Sequence, residues 1–133
     1  MKISLLISGD STDSFYLEQL RNRMDFKHRD INFYINPPSI IRESDSNPGQ
    51  YDALIIEPLS FVKKLKDIRD LQDYLARVRT NDKLPVIILS SLPEEVFRFV
   101  GFITQVHYDS YVSKLENQSN CSLLGETLER LVP

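Results

Sequence analysis

Polar or charged residues follow short apolar runs at four places in the chain. These places are Ser8-Gly9-Asp10, then Glu57, then Ser90, and finally Lys114. A carboxylate can bind a cation, a hydroxyl can donate or accept a hydrogen bond, and an ammonium group can neutralise an anion. This chemistry requires that the fold bring the four places together.

The apolar runs themselves predict five β-strands, which alternate with helix-like segments. The predicted strands cover residues 3–7, 31–35, 53–56, 86–89 and 106–112. Alternation of this kind favours an α/β fold with a five-stranded parallel sheet and helices on both faces. In such a sheet the carboxyl ends of the strands share one edge, where functional groups collect. We therefore expect the four places to meet at that edge.

The segment after the third predicted strand has the pattern of an amphipathic helix. Its predicted core-facing stripe consists of Val62, Leu65, Ile68, Leu71, Leu75 and Val78. The opposite face carries five cations, namely Lys63, Lys64, Lys66, Arg69 and Arg77. A run of charges on a helix is usually a solvated face, so we first interpret these cations in that way.

Length and composition limit the class of protein. The chain has 133 residues, of which 41% are hydrophobic and 26% charged, as is typical of one globular domain spanning residues 1–133. A net charge of −3 argues against DNA binding by this chain itself. The single cysteine, Cys121, excludes an internal disulfide. The first apolar run is too short for a signal peptide or membrane span, so we expect a cytoplasmic protein without membrane contact.

Three segments carry a family resemblance: residues 51–57, 84–91 and 109–114. Their sequences are YDALIIE, LPVIILSS and DSYVSK. In this order, and at the ends of the third, fourth and fifth predicted strands, they resemble the receiver domain of bacterial response regulators. The resemblance covers nearly the whole chain. It implies a receiver/flavodoxin-like fold and a non-enzymatic regulatory role in signal transduction or transcription control.

The resemblance also implies roles for individual residues. In receivers an acidic pair after the first strand binds Mg²⁺, and an aspartate after the third strand accepts phosphate. A serine or threonine after the fourth strand bonds the phosphoryl group, and a lysine after the fifth pairs with it. Ser90 and Lys114 match the last two positions. Tyr111 matches the aromatic position that rotates on activation in many receivers.

The other positions depart from the family pattern. Ser8 and Gly9 stand where receivers carry the acidic pair, and Asp10 comes one position late. Glu57 stands at the acceptor position, directly followed by Pro58. The extra methylene of glutamate moves the carboxylate by about an ångström, and misplacement of this size can cost about 100-fold in rate. We therefore expect a degenerate phosphorylation site that binds no metal and needs no cofactor.

Glu57 has two interpretations that the sequence leaves open. It could mimic a phosphorylated aspartate by placing a fixed charge beside Lys114 and Ser90. It could instead be drift at an unused site or a static ion pair with Lys114. In either case we expect the two side chains to lie close together, and a partly exposed pair to contribute no more than about 1 kcal/mol.

Residues 96–103 are apolar nearly all round, although a surface helix should bury only one stripe. Either loops cover the remaining side chains or they form a protein interface. In receivers the neighbouring strand belongs to a common dimerisation face. We therefore expect a homodimer, or a heterodimer with another regulator, through an interface that includes Phe97, Phe99, Phe102, Tyr108 and Tyr111.

Three functional hypotheses remain. The first is an atypical receiver that acts as a regulatory and dimerisation module without phosphorylation. The second is a phosphorylatable receiver with a rearranged acidic site formed by Asp10 and Glu57. The third is an unrelated flavodoxin-like enzyme or binding domain, which the lack of a glycine-rich phosphate loop disfavours. Residues 111–115 look most like regulators with a C-terminal LuxR-type helix-turn-helix, so DNA contact would need an output domain outside these 133 residues.

Overall fold

The chain folds around a five-stranded parallel sheet. The structure, a computed structural model, describes residues 2–6, 32–42, 47–58, 62–99, 108–114 and 122–132. The strands lie in the order β2-β1-β3-β4-β5, and every neighbouring pair is parallel. They are β1 (Lys2–Leu6), β2 (Asn32–Asn36), β3 (Ala53–Ile56), β4 (Val86–Ser90) and β5 (Ser110–Ser113). The predicted fold class is thus confirmed.

Strand β5 begins later than the sequence predicted. The apolar pattern placed its start at residue 106, whereas the strand begins at Ser110. Its partner sets this limit, because β5 pairs only with the stretch from Ile87 to Ser90 in β4. A segment forms a strand only where its backbone N–H and C=O groups hydrogen-bond to a neighbouring strand. An apolar pattern does not show where that neighbour lies.

The centre of the sheet is buried on both faces, which explains the continuous apolar runs of its central strands. Every residue of β3 and β4 is buried. Successive side chains point to opposite faces, so Leu54 and Ile56 join one hydrophobic cluster while Ala53 and Ile55 join the other. Each face therefore needs its own cover of helices or turns.

Three helices and two short 3₁₀ turns connect or follow the strands in the described ranges. The helices are α1 (Leu65–Arg77), α2 (Glu94–Phe99) and α3 (Ser122–Leu131). The 3₁₀ turns are Pro38–Arg42 and Pro48–Gln50. Helix α1 continues as a wider turn over Val78–Asp82 and stops at Lys83, whose φ of 55° is left-handed. No helix among the described residues is long and apolar enough to cross a membrane.

The predicted apolar stripe of this segment faces the core except at Leu65. Leu71, Leu75 and Val78 are buried against the sheet, and Ile68 packs against the same cluster. Leu65, by contrast, is 60% exposed. The helical period explains the error, because Leu65 lies about 120° around the helix from Leu71.

Asp67 ties the start of α1 to the turn that follows β2. Its Oδ2 accepts hydrogen bonds from the backbone N–H groups of Lys63 (3.0 Å) and Lys64 (3.2 Å). Its Oδ1 lies 2.6 Å from Nη2 of Arg42, whose Nε also donates to Asp70 at 2.8 Å. The Lys63 amide above all, together with the Lys64 amide and the nearby cations, lowers the pKa of Asp67 although burial opposes this.

This lowered pKa predicts an acid-sensitive contribution to stability. The Asp67 carboxylate should stabilise the fold fully above its unfolded pKa of about 3.9, and should lose that contribution as the pH falls through the lower folded pKa. Asp67→Asn should therefore be less stable than wild type at neutral pH, and the difference should shrink in acid. Urea unfolding across a pH series measures this difference. Asp73→Asn, at an exposed position of the same helix, is the control. A wild-type-to-variant difference that stays constant with pH would contradict the assignment.

Candidate functional site

Glu57, Ser90 and Lys114 meet at the carboxyl edge of the sheet. Glu57 follows β3, Ser90 is the last residue of β4, and Lys114 follows β5. Backbone hydrogen bonds continue for one residue past the ends of β3 and β5, the two neighbours of β4. The N–H of Glu57 donates to Leu6 C=O of β1 (3.0 Å), and the N–H of Lys114 donates to Ser90 C=O of β4 (2.7 Å). These backbone bonds fix where the three side chains leave the sheet.

The side chains of Glu57 and Lys114 form an ion pair that spans β4. Nζ of Lys114 lies 2.7 Å from Oε1 of Glu57, so the expected proximity is present. The side chains are only 8% exposed for Glu57 and 16% for Lys114. The strand ends enclose the two groups, so the limit given above for a partly exposed pair does not apply to the buried Glu57 carboxylate. Removing one partner from such a pair costs more than removing a surface partner.

Ser90 is completely buried, and its hydroxyl is already used by the turn that follows β4. Its Oγ accepts a hydrogen bond from the backbone N–H of Leu92 at 3.2 Å. The hydroxyl of Tyr111 donates to Leu92 C=O at 2.6 Å. Burial raises the pKa of Tyr111, although a hydrogen bond with Ser90 acts in the opposite direction. Ser90 and Tyr111 thus hold one turn from two sides.

A chain of aromatic and polar contacts connects this turn with the surface of α2. The ring of Tyr111 lies 5.6 Å from that of Phe97 and 6.2 Å from that of Tyr108. The hydroxyl of Tyr108 donates to Glu94 (2.7 Å) and accepts from the guanidinium of Arg98. These contacts therefore link the turn after Ser90 to side chains on the solvent side of α2.

The expectation that Phe97 belongs to an exposed interface is wrong. Its side chain is completely buried in the core cluster on the α2 side of the sheet. An apolar segment does not reveal which of its residues faces inward, and contact with Tyr111 on β5 selects Phe97. Val96 is 49% exposed instead. Phe102 and the side chain of Phe99 lie outside the described residues.

Sequence reasoning missed the group formed by Glu94, Arg98 and Tyr108. The signal was present in part, because Glu94 and Arg98 are four residues apart and therefore neighbours on a helix, where Nη2 of Arg98 lies 2.7 Å from Oε1 of Glu94. Tyr108 joins them only through the packing of α2 beside β5, which no local spacing encodes.

The described residues do not fit a magnesium ion. Mg²⁺ prefers several oxygen ligands, with carboxylates among them. The described ranges contain no group of three or more His, Cys, Asp or Glu side chains that could hold a metal ion. At the sheet edge they offer one carboxylate, Glu57, which faces the Lys114 ammonium. Ser8, Gly9 and Asp10 lie outside the described residues, and the first two have no carboxylate.

Two open surface clefts occur elsewhere in the described structure. One, of about 330 Å³, is lined by Arg79, Lys83, Leu84, Pro85, Asp109 and Leu131. The other, of about 400 Å³, lies between the 38–42 turn and α1. Glu57, Ser90 and Lys114 line neither of these two clefts.

The buried ion pair predicts an asymmetric response to mutation. Lys114→Met should lower the free energy of unfolding by about 3 kcal/mol, because the Glu57 carboxylate would lose its cation while remaining buried. The double variant Glu57→Gln/Lys114→Met should recover most of this loss, since both charges are gone. Chemical denaturation measures both.

The control is Arg98→Met, which breaks the exposed pair between Arg98 and Glu94 and should change the free energy of unfolding little. A double variant as unstable as Lys114→Met alone would show that buried charge is not the cause.

Comparison with known proteins places this fold among receiver domains. No protein-family model and no curated protein sequence matches the chain. Among solved structures, a pilus assembly-related protein from Burkholderia pseudomallei is 13% identical with a TM-score of 0.63, covering 99% of this chain and 90% of that one. The receiver domain of a Francisella response regulator is 16% identical with a TM-score of 0.61, covering 98% and 95%.

A third similar structure is the phosphorylated cyanobacterial phytochrome response regulator RcpA. It is 15% identical with a TM-score of 0.58, covering 98% of this chain and 93% of its own. At such low identity the likeness concerns the fold and not the activity. The chain therefore has the fold of response-regulator receiver domains.

Proposed function

We propose that residues 1–133 form an atypical receiver domain, a non-enzymatic regulatory and dimerisation module that works without aspartate phosphorylation. The observation that carries this proposal is the buried ion pair between Glu57 and Lys114. It occupies the two positions that resemble the phosphate acceptor and the phosphate-binding lysine of receivers. The site thus keeps the charge pairing of a receiver without the metal-binding acids.

Phosphoryl transfer at this site would need acidic groups that Ser8 and Gly9 do not offer. The reaction in receivers depends on Mg²⁺ to offset the negative charge that gathers as the carboxylate oxygen attacks phosphorus. Ser8 and Gly9 supply no carboxylate for the ion. The Glu57 carboxylate is 8% exposed and held at 2.7 Å from an ammonium group, which limits the approach of a phosphodonor.

In this proposal Glu57 serves as a static structural group and not as a mimic of phosphate. A carboxylate has two oxygens and one negative charge, whereas a phosphoryl group has three oxygens and up to two charges. The hydroxyls of Ser90 and Tyr111, which respond to phosphate in receivers, are here bonded to the turn at Leu92. The domain would therefore hold one conformation, and its activity would depend on association.

The proposal predicts no response to phosphodonors. Acetyl phosphate or beryllofluoride with Mg²⁺ should leave the intact mass and the NMR signals of Ser90 and Lys114 unchanged, because the metal-binding acids are missing. The variant Ser8→Asp/Gly9→Asp/Glu57→Asp, which restores the family residues, is the positive control. A Mg²⁺-dependent adduct on the wild-type chain would refute the proposal and favour a phosphorylatable receiver that uses Asp10 and Glu57.

Association is the second part of the proposal. Of the five residues expected in the interface, Phe97 is buried, while Tyr108 and Tyr111 remain half-buried beside α2. Val96 adds an exposed aliphatic side chain on the same short helix. We propose that this face forms a homodimer, or a heterodimer with another regulator, with Val96 and Tyr108 near its centre.

A charge placed on this face should therefore weaken association. Val96→Asp should raise the dimer dissociation constant at least about 10-fold, because it would bury an unpaired carboxylate in the interface. Analytical ultracentrifugation from low to high micromolar concentration measures this. Leu65→Asp is the matched control, an exposed aliphatic residue on another helix. A wild-type chain that stays monomeric throughout would exclude the homodimer, and an equal effect of both variants would place the interface elsewhere.

A second candidate function follows from the structural comparisons. Besides the Burkholderia pseudomallei protein, a pilus assembly protein from Burkholderia thailandensis has a TM-score of 0.61, at 12% identity and 98% coverage of both chains. The domain could thus act within an assembly protein instead of within a transcription regulator. The complete sequence of the gene product separates these two roles, since a DNA-binding helix-turn-helix beyond residue 133 supports only the role in transcription control.

A further inference from the structure

The start of helix α1 exposes a leucine surrounded by cations. Leu65 is 60% exposed, the most exposed of the large hydrophobic side chains in the described structure. The exposed residues Lys63, Lys64, Lys66 and Arg69 lie around it. We call these five residues the Leu65 patch. It concentrates positive charge on a chain whose net charge is −3.

Two nearby acids are already engaged with another cation, whereas the exposed Asp73 lies four residues after Arg69 on the same helix. Asp67 and Asp70 both bind the guanidinium of Arg42, and Asp67 also accepts two backbone N–H groups. Lys64 is near enough to Asp67 to help lower its pKa. Within the described part of the chain, Lys63, Lys66 and Arg69 make no salt bridge. Among the described residues, the patch therefore keeps a net positive charge.

Apart from the attraction of Lys64 for Asp67, fold stability does not account for this arrangement. Cations near the start of a helix oppose its macrodipole, and like charges crowded into about two turns repel one another. An exposed leucine contributes little hydrophobic stabilisation. A single exposed leucine is common on protein surfaces, so it is the crowding of cations around Leu65 that marks this face as a candidate binding surface.

We propose that the Leu65 patch binds an acidic segment of a partner protein, in which an apolar side chain between carboxylates packs on Leu65. Charge complementarity favours an anionic partner, and one exposed leucine matches one apolar residue. The small size of the patch fits a short peptide segment. A membrane surface would need a broader apolar face, and the negative net charge of the chain disfavours a large polyanion such as DNA.

The patch would extend the function proposed above by adding a second contact surface. It belongs to the connection that leaves the Glu57 edge, where the backbone N–H of Val62 donates to Pro58 C=O at 2.9 Å. The dimer face instead uses α2 and β5. An acidic partner and a second regulator could thus bind the domain through different helices, and each contact can fail independently of the other.

The test uses the 133-residue chain and a short fluorescein-labelled peptide of repeated Glu-Glu-Leu units, with a Glu-Glu-Gly peptide for comparison. Fluorescence anisotropy should show binding of the Glu-Glu-Leu peptide that weakens as NaCl is added. Lys66→Glu and Arg69→Glu should each raise the dissociation constant about 10-fold. Leu65→Ser should weaken binding of the Glu-Glu-Leu peptide but leave that of the Glu-Glu-Gly peptide unchanged.

Lys83→Glu is the matched control, because it changes the net charge equally at the amino edge of β4. It should leave the dissociation constant within about twofold of wild type. Absence of binding up to about 1 mM peptide, or equal loss in Lys83→Glu, would overturn the proposal. Tighter binding of phosphatidylserine vesicles or duplex DNA, lost in the same patch variants, would also overturn it in favour of that partner.

Discussion

Burial of the parallel sheet on both faces is the constraint on which the rest of the structure depends. The side chains of β3 and β4 are taken up by the two hydrophobic clusters, so these strands have no face left for chemistry. Polar groups of the central strands can emerge only where the strands end. Glu57, Ser90 and Lys114 are therefore neighbours, because each stands at or directly after the end of its strand on the same edge of the sheet.

The ion pair between Glu57 and Lys114 gives this edge its character. It joins the ends of β3 and β5 across β4, in a setting where neither charge is well solvated. Its worth to stability is modest compared with the penalty for removing one partner, because desolvation offsets much of the attraction. A pair of this kind specifies which strand ends lie together. In the function proposed here, that structural role replaces phosphate chemistry.

The two helices beside this edge differ in what they present to solvent. Helix α2 is only six residues long, buries Phe97 and exposes Val96, with Glu94, Arg98 and Tyr108 linked by hydrogen bonds. Helix α1 exposes Leu65 among lysines and an arginine. One surface suits contact with a similar domain, and the other suits an acidic partner. In the function proposed here, a receiver fold that is not phosphorylated would be regulated through binding alone.

The amino-acid sequence by itself determined the fold class and the composition of the carboxyl edge. Continuous apolar runs such as 53–56 and 86–89 predict buried parallel strands, and the order of the runs fixes which residues follow them. Glu57, Ser90 and Lys114 could be named for this reason, and the proximity of Glu57 to Lys114 followed from the shared edge. The start of β5 could not be predicted, because it depends on partners in β4.

Only the tertiary structure decided the environment of each side chain. Phe97 and Val96 are adjacent apolar residues, yet one is completely buried and the other half exposed. Leu65 fits an apolar stripe by type but lies on its solvent side. The burial of the ion pair likewise depends on how closely the strand ends pack. Local sequence encodes propensity and periodicity, whereas burial is set by contacts between segments far apart in the chain.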